Sequence, residues 1–138
     1  MSDTVCIYIK TDDKNALFGL ISACISVQKV LLEMEEPILC RGAITKGDFY
    51  HQGNRMFGPG FVEAYNLEEH VAVMPRIIID KTLYEKEIVK CDSRCLDVLK
   101  NQLYEEDEMI VFDNVNCYLK TSGMNEDKKL NLITLNLL

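Results

Sequence analysis

The sequence predicts one α/β domain in which helices pack against a single β-sheet, an α/β sandwich. Short β-branched segments alternate along the chain with segments whose apolar residues recur every three or four positions. The 138 residues, 48% of them hydrophobic, suffice for one core. We therefore expect residues 1–138 to form a single domain.

The first half of the chain contains the clearest elements. β-branched and aromatic residues predict two strands, helical spacing predicts two helices, and a proline closes the first helix. In chain order these are a strand at Thr4–Lys10, a helix from Asn15 to about Glu35 before Pro37, a strand at Ile38–Phe49 and a helix from Phe61 to about Val71. The segment His51–Arg55 contains Gly53-Asn54 and predicts a hairpin or a loop tip between the second strand and the second helix.

The second half is predicted from shorter patterns. We expect a buried strand, two helices, an antiparallel pair of strands across Asp113-Asn114 and a final strand. These are Pro75–Asp80, Thr82–Cys91, Ser93–Tyr104, Met109–Phe112 paired with Asn116–Lys120, and Lys128–Leu138. The acidic run Glu105–Glu108 is expected to be a solvated loop.

Charge and cysteine content exclude several classes of function. A net charge of −7 without a basic patch disfavours binding to nucleic acid polymers, although a nucleotide remains a possible ligand. Met1 leads directly into a strand pattern with no signal peptide, so the six cysteines are expected to be reduced thiols in the cytoplasm. Polar residues interrupt the apolar stretch Ala16–Leu32, which argues against membrane association.

The run Arg41–Glu69, RGAITKGDFYHQGNRMFGPGFVEAYNLEE, resembles the centre of class III nucleotidyl cyclase domains. The positions that match the family's strand, turn and helix are Gly42, Ile44, Gly47, Asp48, Gly58, Ala64, Leu67 and Glu68. Bacterial cyclase-like proteins of poorly known function, with an FGP-x-x-x-EAY-x-LE pattern followed by PRI, are most similar. The resemblance covers roughly residues 2–80.

The resemblance implies a ferredoxin-like sheet of the cyclase-palm type, incomplete at the N-terminus because the family's first strand has no counterpart here. It also implies that Mg²⁺ or Mn²⁺ binds together with a nucleoside triphosphate. Asp3 corresponds to one of the two metal-binding carboxylates. The nucleotide site maps to Arg55, Phe57, Gly58, Glu63 and Asn66.

Departures from the family pattern affect the expected activity. The first metal-binding Asp has no counterpart, and Val62 and Asn66 replace the family's ribose-orienting Asn and phosphate-binding Arg. Arg55 stands where the family has the acid that reads the purine. We therefore predict a degenerate or truncated domain in signalling, which serves as a nucleotide-binding, regulatory or dimerisation module. The alternative is an active cyclic-nucleotide synthase, purine-specific or not, completed by a partner chain or by a homodimer.

Some candidate residues have simpler interpretations. Asp3 is either a metal ligand or a solvated terminal residue, and Gly58-Pro59-Gly60 is either an anion site at a helix N-terminus or a plain turn. Arg41 either contacts a ligand or pairs with Glu33 or Glu35. A sheet that lacks its first strand exposes an edge, which either the C-terminal strands of the same chain or a second chain could cover. We therefore expect a homodimer or a complementing partner chain.

Overall fold

A four-stranded mixed sheet organises the chain in the computed structural model, which describes residues 4–72, 75–100 and 102–112. The helices are α1 (Ala16–Leu32), α2 (Pro59–His70), α3 (Lys81–Ile88) and α4 (Ser93–Leu99). The strands are β1 (Gly42–Ile44), β2 (Tyr50–Gln52), β3 (Arg55–Phe57), β4 (Ile77–Asp80), β5 (Leu103–Glu106) and β6 (Met109–Phe112). The expectation of a mixed α/β fold is confirmed.

The main sheet has the strand order β1-β4-β6-β5, and β2 and β3 form a separate two-stranded ribbon. β1 runs parallel to β4, whereas β6 runs antiparallel to both β4 and β5. Successive residues of a strand point to opposite faces, so the isoleucines of β4 feed two cores. Ile77 and Ile79 join the larger core, and Ile78 joins the smaller one.

The two faces of the sheet are covered unequally. Side chains of α1, α3 and α4 pack over the larger core, where Ile21 and Leu99 are almost completely buried. Among the described elements, only α2 packs on the other face, where Leu67 contacts the cluster formed by Ile78 and Val111. In the part of the chain that the structure describes, the smaller core therefore has one helix above it.

Five of the predicted helices and strands are confirmed. The structure contains α1, α2, α3, β4 and β6 with boundaries that differ by no more than three residues from those predicted. The hairpin around Gly53-Asn54 is also confirmed: Gly53 has φ 58° and joins β2 to β3 by a two-residue turn. None of the described helices is long and apolar enough to cross a membrane. The predicted strands Asn116–Lys120 and Lys128–Leu138 lie outside the described residues.

The strand predicted at Thr4–Lys10 is wrong. This segment forms no ladder with another described strand, and its contacts are made by side chains such as Tyr8, which lies against Phe49. A β-branched composition indicates only that a segment fits a pleated surface, and among the described residues no neighbouring strand supplies the pairing. Val5 and Tyr8 consequently remain largely exposed.

The helix predicted at Ser93–Tyr104 is too long. The helix α4 ends at Leu99, and Leu103 begins β5, which also includes part of the predicted acidic loop. Leu103 satisfies a helical spacing after Leu99, but antiparallel pairing with Phe112 places it against the larger core. Asp107 and Glu108 form the connecting turn with φ 49° and 61°. Two consecutive positive φ values are typical of a type I′ hairpin turn.

The strand predicted at Ile38–Phe49 is reduced to the three residues of β1. After Ile44 the chain leaves the sheet in order to pass the N-terminus of α2, where Gly47 and Gly60 meet. Lys46 anchors this bend, because its Nζ lies 2.7 Å from Oε1 of Glu87 in α3. Glycine inside a predicted strand often marks a close approach of backbone, and Gly47 does so here.

Candidate functional site

A close crossing of two backbone segments positions the candidate site. A Cβ atom on Gly47 would lie 2.9 Å from Cα of Gly60, and one on Gly58 would lie 2.3 Å from the carbonyl oxygen of Asp48. Both distances are shorter than real Cβ contacts, so only glycine allows the chains to approach this closely. The hydroxyl of Thr45 also donates to the carbonyl of Gly60 at 2.8 Å. The crossing fixes the β2–β3 ribbon relative to α2.

The first turn of α2 uses its amides within the chain. Pro59 has no N–H, and the amide of Gly60 donates to the carbonyl of Asp48 at 3.1 Å. The amides of Phe61 and Val62 both donate to the carbonyl of Gly58 at 3.1 Å. An anion at this N-terminus would have to displace one of these bonds, so the geometry favours the plain-turn interpretation over the anion site.

The outer face of the ribbon carries an exposed pair of aromatic rings. Tyr50 and Phe57 are directly opposed in the antiparallel register, with ring centroids 5.3 Å apart and planes 17° apart. Their exposed fractions are 55% and 56%. Gln52 and Arg55, the next opposed pair on the same face, lie at the exposed tip of the ribbon.

The opposite face of the ribbon rests on the N-terminal segment. The hydroxyl of Tyr8 lies 2.9 Å from Nδ1 of His51, and the Nε2 atom of His51 lies 2.9 Å from the carbonyl of Gly53. A carbonyl only accepts, so Nε2 carries the proton and Nδ1 of the neutral ring accepts from Tyr8. Phe49 packs between Tyr8 and Phe61, with centroid separations of 4.8 Å and 6.4 Å. This face of the ribbon is therefore engaged within the molecule.

A shallow depression of about 680 Å³ runs along the outer side of α2. Its apolar lining comes from Pro59, Val62, Leu67 and Val71, which recur at helical spacing. Its polar lining comes from Glu63, Asn66 and His70. The depression is thus an exposed, mainly apolar stripe of one helix with a polar margin.

The predicted nucleotide-binding residues fall into two groups. Arg55 and Phe57 lie on the outer face of the ribbon and do not line the depression. Glu63 and Asn66 do line it. Gly58 is the residue that connects the two groups and caps α2. The predicted metal ligand Asp3 lies outside the described residues.

Two further expectations concern charged residues. Arg41 pairs through Nε with Oε1 of Glu68 on α2, not with Glu33 or Glu35, because β1 lies beside α2 and directs Arg41 towards it. Within residues 4–72, 75–100 and 102–112, no three His, Cys, Asp or Glu side chains form a group that could hold a metal ion. The described residues therefore do not fit a two-metal site.

The described thiols do not form an activated site. Burial raises the pKa of Cys24 to about 11, with a smaller contribution from nearby Cys40. Burial also raises the pKa of Cys40, which a hydrogen bond from the Gln28 side chain partly offsets. Because the thiolate is the nucleophilic form, a raised pKa lowers the reactivity of Cys24 and Cys40.

The sequence-based prediction missed Tyr50 and the apolar lining of the depression. The strand register alone would have identified Tyr50, because a two-residue turn at Gly53-Asn54 places position 50 opposite Phe57. The lining was detectable as the apolar stripe that begins at Pro59 and continues through Val62 and Leu67.

Compared with models of protein families, with curated proteins and with solved structures, the chain gives no significant match. The resemblance to class III cyclases therefore stays a prediction that rests on the residues of the Arg41–Glu69 run.

Proposed function

We propose that this chain is a regulatory binding module with a cyclase-like palm fold, and that it acts in signalling by forming a homodimer through the outer face of the β2–β3 ribbon. The observation that supports the proposal is the stacked pair Tyr50–Phe57, half-exposed on a ribbon outside the main sheet. Aromatic side chains that leave apolar area in water are the usual anchors of protein interfaces.

The charged residues beside the aromatic pair favour a second copy of this chain as the binding partner. Arg55 lies at the tip of the ribbon, and Asp48 lies at its base, two residues before Tyr50. Both side chains are exposed, and neither forms an ion pair with another described residue. When two ribbons pack antiparallel with their aromatic pairs in contact, Arg55 of each copy lies near Asp48 of the other. The face is therefore complementary to itself.

The strength of this association follows from the exposed area. An aromatic side chain buries about 150–250 Å² when fully covered. Tyr50 and Phe57 are each about half exposed, so together they still expose roughly 150–250 Å² per copy that a partner could cover. A stable interface buries about 800 Å² per partner. The aromatic pair is thus a minor part of a standard interface, and we expect weak dimerisation, with a dissociation constant in the micromolar range or above.

Charge reversal in the full chain tests the proposed dimer. Arg55→Glu and Asp48→Lys should each weaken dimerisation about 30-fold, because each creates two like-charge contacts worth roughly 1 kcal/mol apiece. The double variant should recover most of the loss. Sedimentation equilibrium gives the dissociation constants, and Tyr104→Ser, which changes an exposed tyrosine on β5, is the matched control for Tyr50→Ser.

Three results would contradict the dimer: a monomeric wild-type chain at millimolar concentration, a double variant no better than the single ones, or equal effects of Tyr50→Ser and Tyr104→Ser. The double variant also distinguishes lost charge complementarity from misfolding, because a chain that the first substitution had destabilised would not recover its affinity when a second charge is changed.

Nucleotide binding is a second candidate function. Arg55 and Phe57 share the outer face of β3, so a guanidinium group for phosphate and a ring for base stacking lie two residues apart. Calorimetry with each of the four nucleoside triphosphates and Mn²⁺ tests this candidate, with Arg55→Gln as the variant expected to abolish binding. A nucleotide on this face should also dissociate the dimer, whereas heat that is unchanged in Arg55→Gln would exclude this site.

The enzymatic alternative has its own measurement. Release of pyrophosphate from a nucleoside triphosphate by the purified chain with Mn²⁺ would establish an active cyclase completed in the homodimer. We expect none, because Val62 and Asn66 replace groups that stabilise the transition state.

A further inference from the structure

We propose that the depression along α2 binds a basic amphipathic helix of a partner protein. The proposal goes beyond the homodimer, because it uses a different surface from the β2–β3 ribbon and does not depend on association through the ribbon. Three properties of α2 support it: the apolar side chains that it exposes, the glutamates beside them, and the contacts that hold the helix on its inner side.

The solvent side of α2 exposes apolar area that a partner helix could cover. Val62 and Tyr65 lie three positions apart, and their exposed fractions are 56% and 55%. Side chains at this spacing are neighbours on a helix surface, so Tyr65 extends the apolar area of Val62, which lines the depression. The depression follows α2 from Pro59 to Val71, about 18 Å at 1.5 Å per residue. A partner helix of roughly 12 residues has the same length.

The charges on α2 favour a cationic partner. Its residues, PGFVEAYNLEEH, include three glutamates and no lysine or arginine. Arg41 pairs with Glu68. Glu63 forms no ion pair with another described residue, and the one described ionic neighbour of Glu69 is His70, with Nε2 at 3.7 Å from Oε2. Two exposed carboxylates therefore remain available to cations of a partner.

The two available carboxylates have a spacing that suits a helix. Glu63 and Glu69 each lie three positions from Asn66, which lines the depression, so they lie on either side of it. Their axial separation is about 9 Å, and lysines or arginines six or seven positions apart on a partner helix are separated by about 9–10 Å. Two copies of α2 would instead bring the same glutamates together, so the charges disfavour a second copy here.

Contacts on the inner side of α2 hold this surface in place. Leu67 packs against the smaller core. The hydroxyl of Thr45 donates to the carbonyl of Gly60 in the first turn, and Arg41 pairs with Glu68 in the last. A surface that is already ordered loses little conformational entropy when a partner binds, so more of the interaction free energy contributes to affinity.

Binding of synthetic peptides to the full chain tests the proposal. The probe is a fluorescent helical peptide of about 14 residues, with leucines at helical spacing and lysines at the other positions. One control peptide has the same composition in scrambled order, and a second has glutamate in place of lysine. Fluorescence anisotropy should give the helical lysine peptide a dissociation constant in the micromolar range, at least about tenfold lower than that of either control.

Variants of the full chain locate the binding site. Val62→Ser should weaken binding about tenfold, and the matched control is Val30→Ser on α1, at a position 63% exposed and outside the depression. Glu63→Lys should weaken binding about fivefold, whereas Glu85→Lys, at an exposed position on α3, should not. The variant with both Glu63→Lys and Glu69→Lys should lose the lysine peptide and bind the glutamate peptide instead. Circular dichroism establishes that each variant is folded.

Several results would overturn the proposal. These are a scrambled peptide that binds as tightly as the helical one, equal effects of Val62→Ser and Val30→Ser, and a double lysine variant that gains no affinity for the glutamate peptide. Absence of peptide binding at millimolar protein would overturn it as well. If the chain then self-associates through a contact that Val62→Ser abolishes, the occupant of the depression is a second copy.

Discussion

Substituting alanine for Gly58 tests whether the backbone crossing beneath the candidate site is as close as the structure indicates. Gly58 has φ 138° and ψ 162°, a conformation that is essentially restricted to glycine. A Cβ atom there would lie 2.3 Å from the carbonyl oxygen of Asp48 and 3.0 Å from Cα of Phe49. Both are backbone atoms, so no rotamer change relieves the clash.

The magnitude follows from two contributions. Holding alanine in this conformation costs about 1–3 kcal/mol. Moving Asp48 away also breaks its hydrogen bond with the amide of Gly60, which contributes about 1 kcal/mol. We expect Gly58→Ala to lower the free energy of unfolding by about 3 kcal/mol, which at a typical slope lowers the urea midpoint by about 1.5 M.

The matched control is Gly53→Ala. Gly53 also has a positive φ, 58°, but an added Cβ would meet no atom within 4 Å. Its cost should be about 1 kcal/mol, that of a left-handed alanine alone. Urea unfolding followed by circular dichroism measures both variants. A midpoint for Gly58→Ala no lower than that of Gly53→Ala would refute the close crossing.

Two further predictions concern ionisable groups. Hydrogen bonds from Lys46 and Lys90 lower the pKa of Glu87. Glu87→Gln should therefore cost on the order of 0.5 kcal/mol at pH 7, and this loss should shrink as the pH falls below about 4.3. Urea midpoints across pH check it, and an equal loss in Glu85→Gln, where the glutamate forms no ion pair with another described residue, would contradict it. Burial raises the pKa of Cys24 to about 11, so iodoacetamide at pH 8 should label Cys24 roughly two orders of magnitude more slowly in the folded chain than in urea. Equal rates in the two states, measured by peptide mass spectrometry, would exclude this.

Local patterns predicted the elements whose signals are local. The apolar spacing in α1, the isoleucines of β4 and the two-residue turn at Gly53-Asn54 each determine their structure within a few residues, and all three are confirmed. The segment Thr4–Lys10 fails for the complementary reason. A strand requires a partner, and no local pattern shows whether a partner lies alongside.

The candidate site depended more strongly on long-range contacts. Gly47 and Gly60 are separated by 13 positions, and only the fold brings them within the distance that excludes a side chain. The pairing of Arg41 with Glu68 likewise follows from the position of α2 beside β1. Glu33 and Glu35, which precede Arg41 by eight and six positions, offered an equally plausible partner for the arginine before the fold was known.

The crossing also explains how two separate surfaces can influence each other. The carbonyl of Asp48 accepts from the amide of Gly60, so the base of the ribbon and the first turn of α2 move together. A ligand that shifts α2 has to break this bond or displace the ribbon, since the two backbones already lie so close that a Cβ atom added to Gly47 or Gly60 would meet the other segment at 2.9–3.1 Å. Occupation of the depression and dimerisation through the ribbon should therefore be thermodynamically coupled, and the coupling should weaken when Gly58→Ala loosens the crossing.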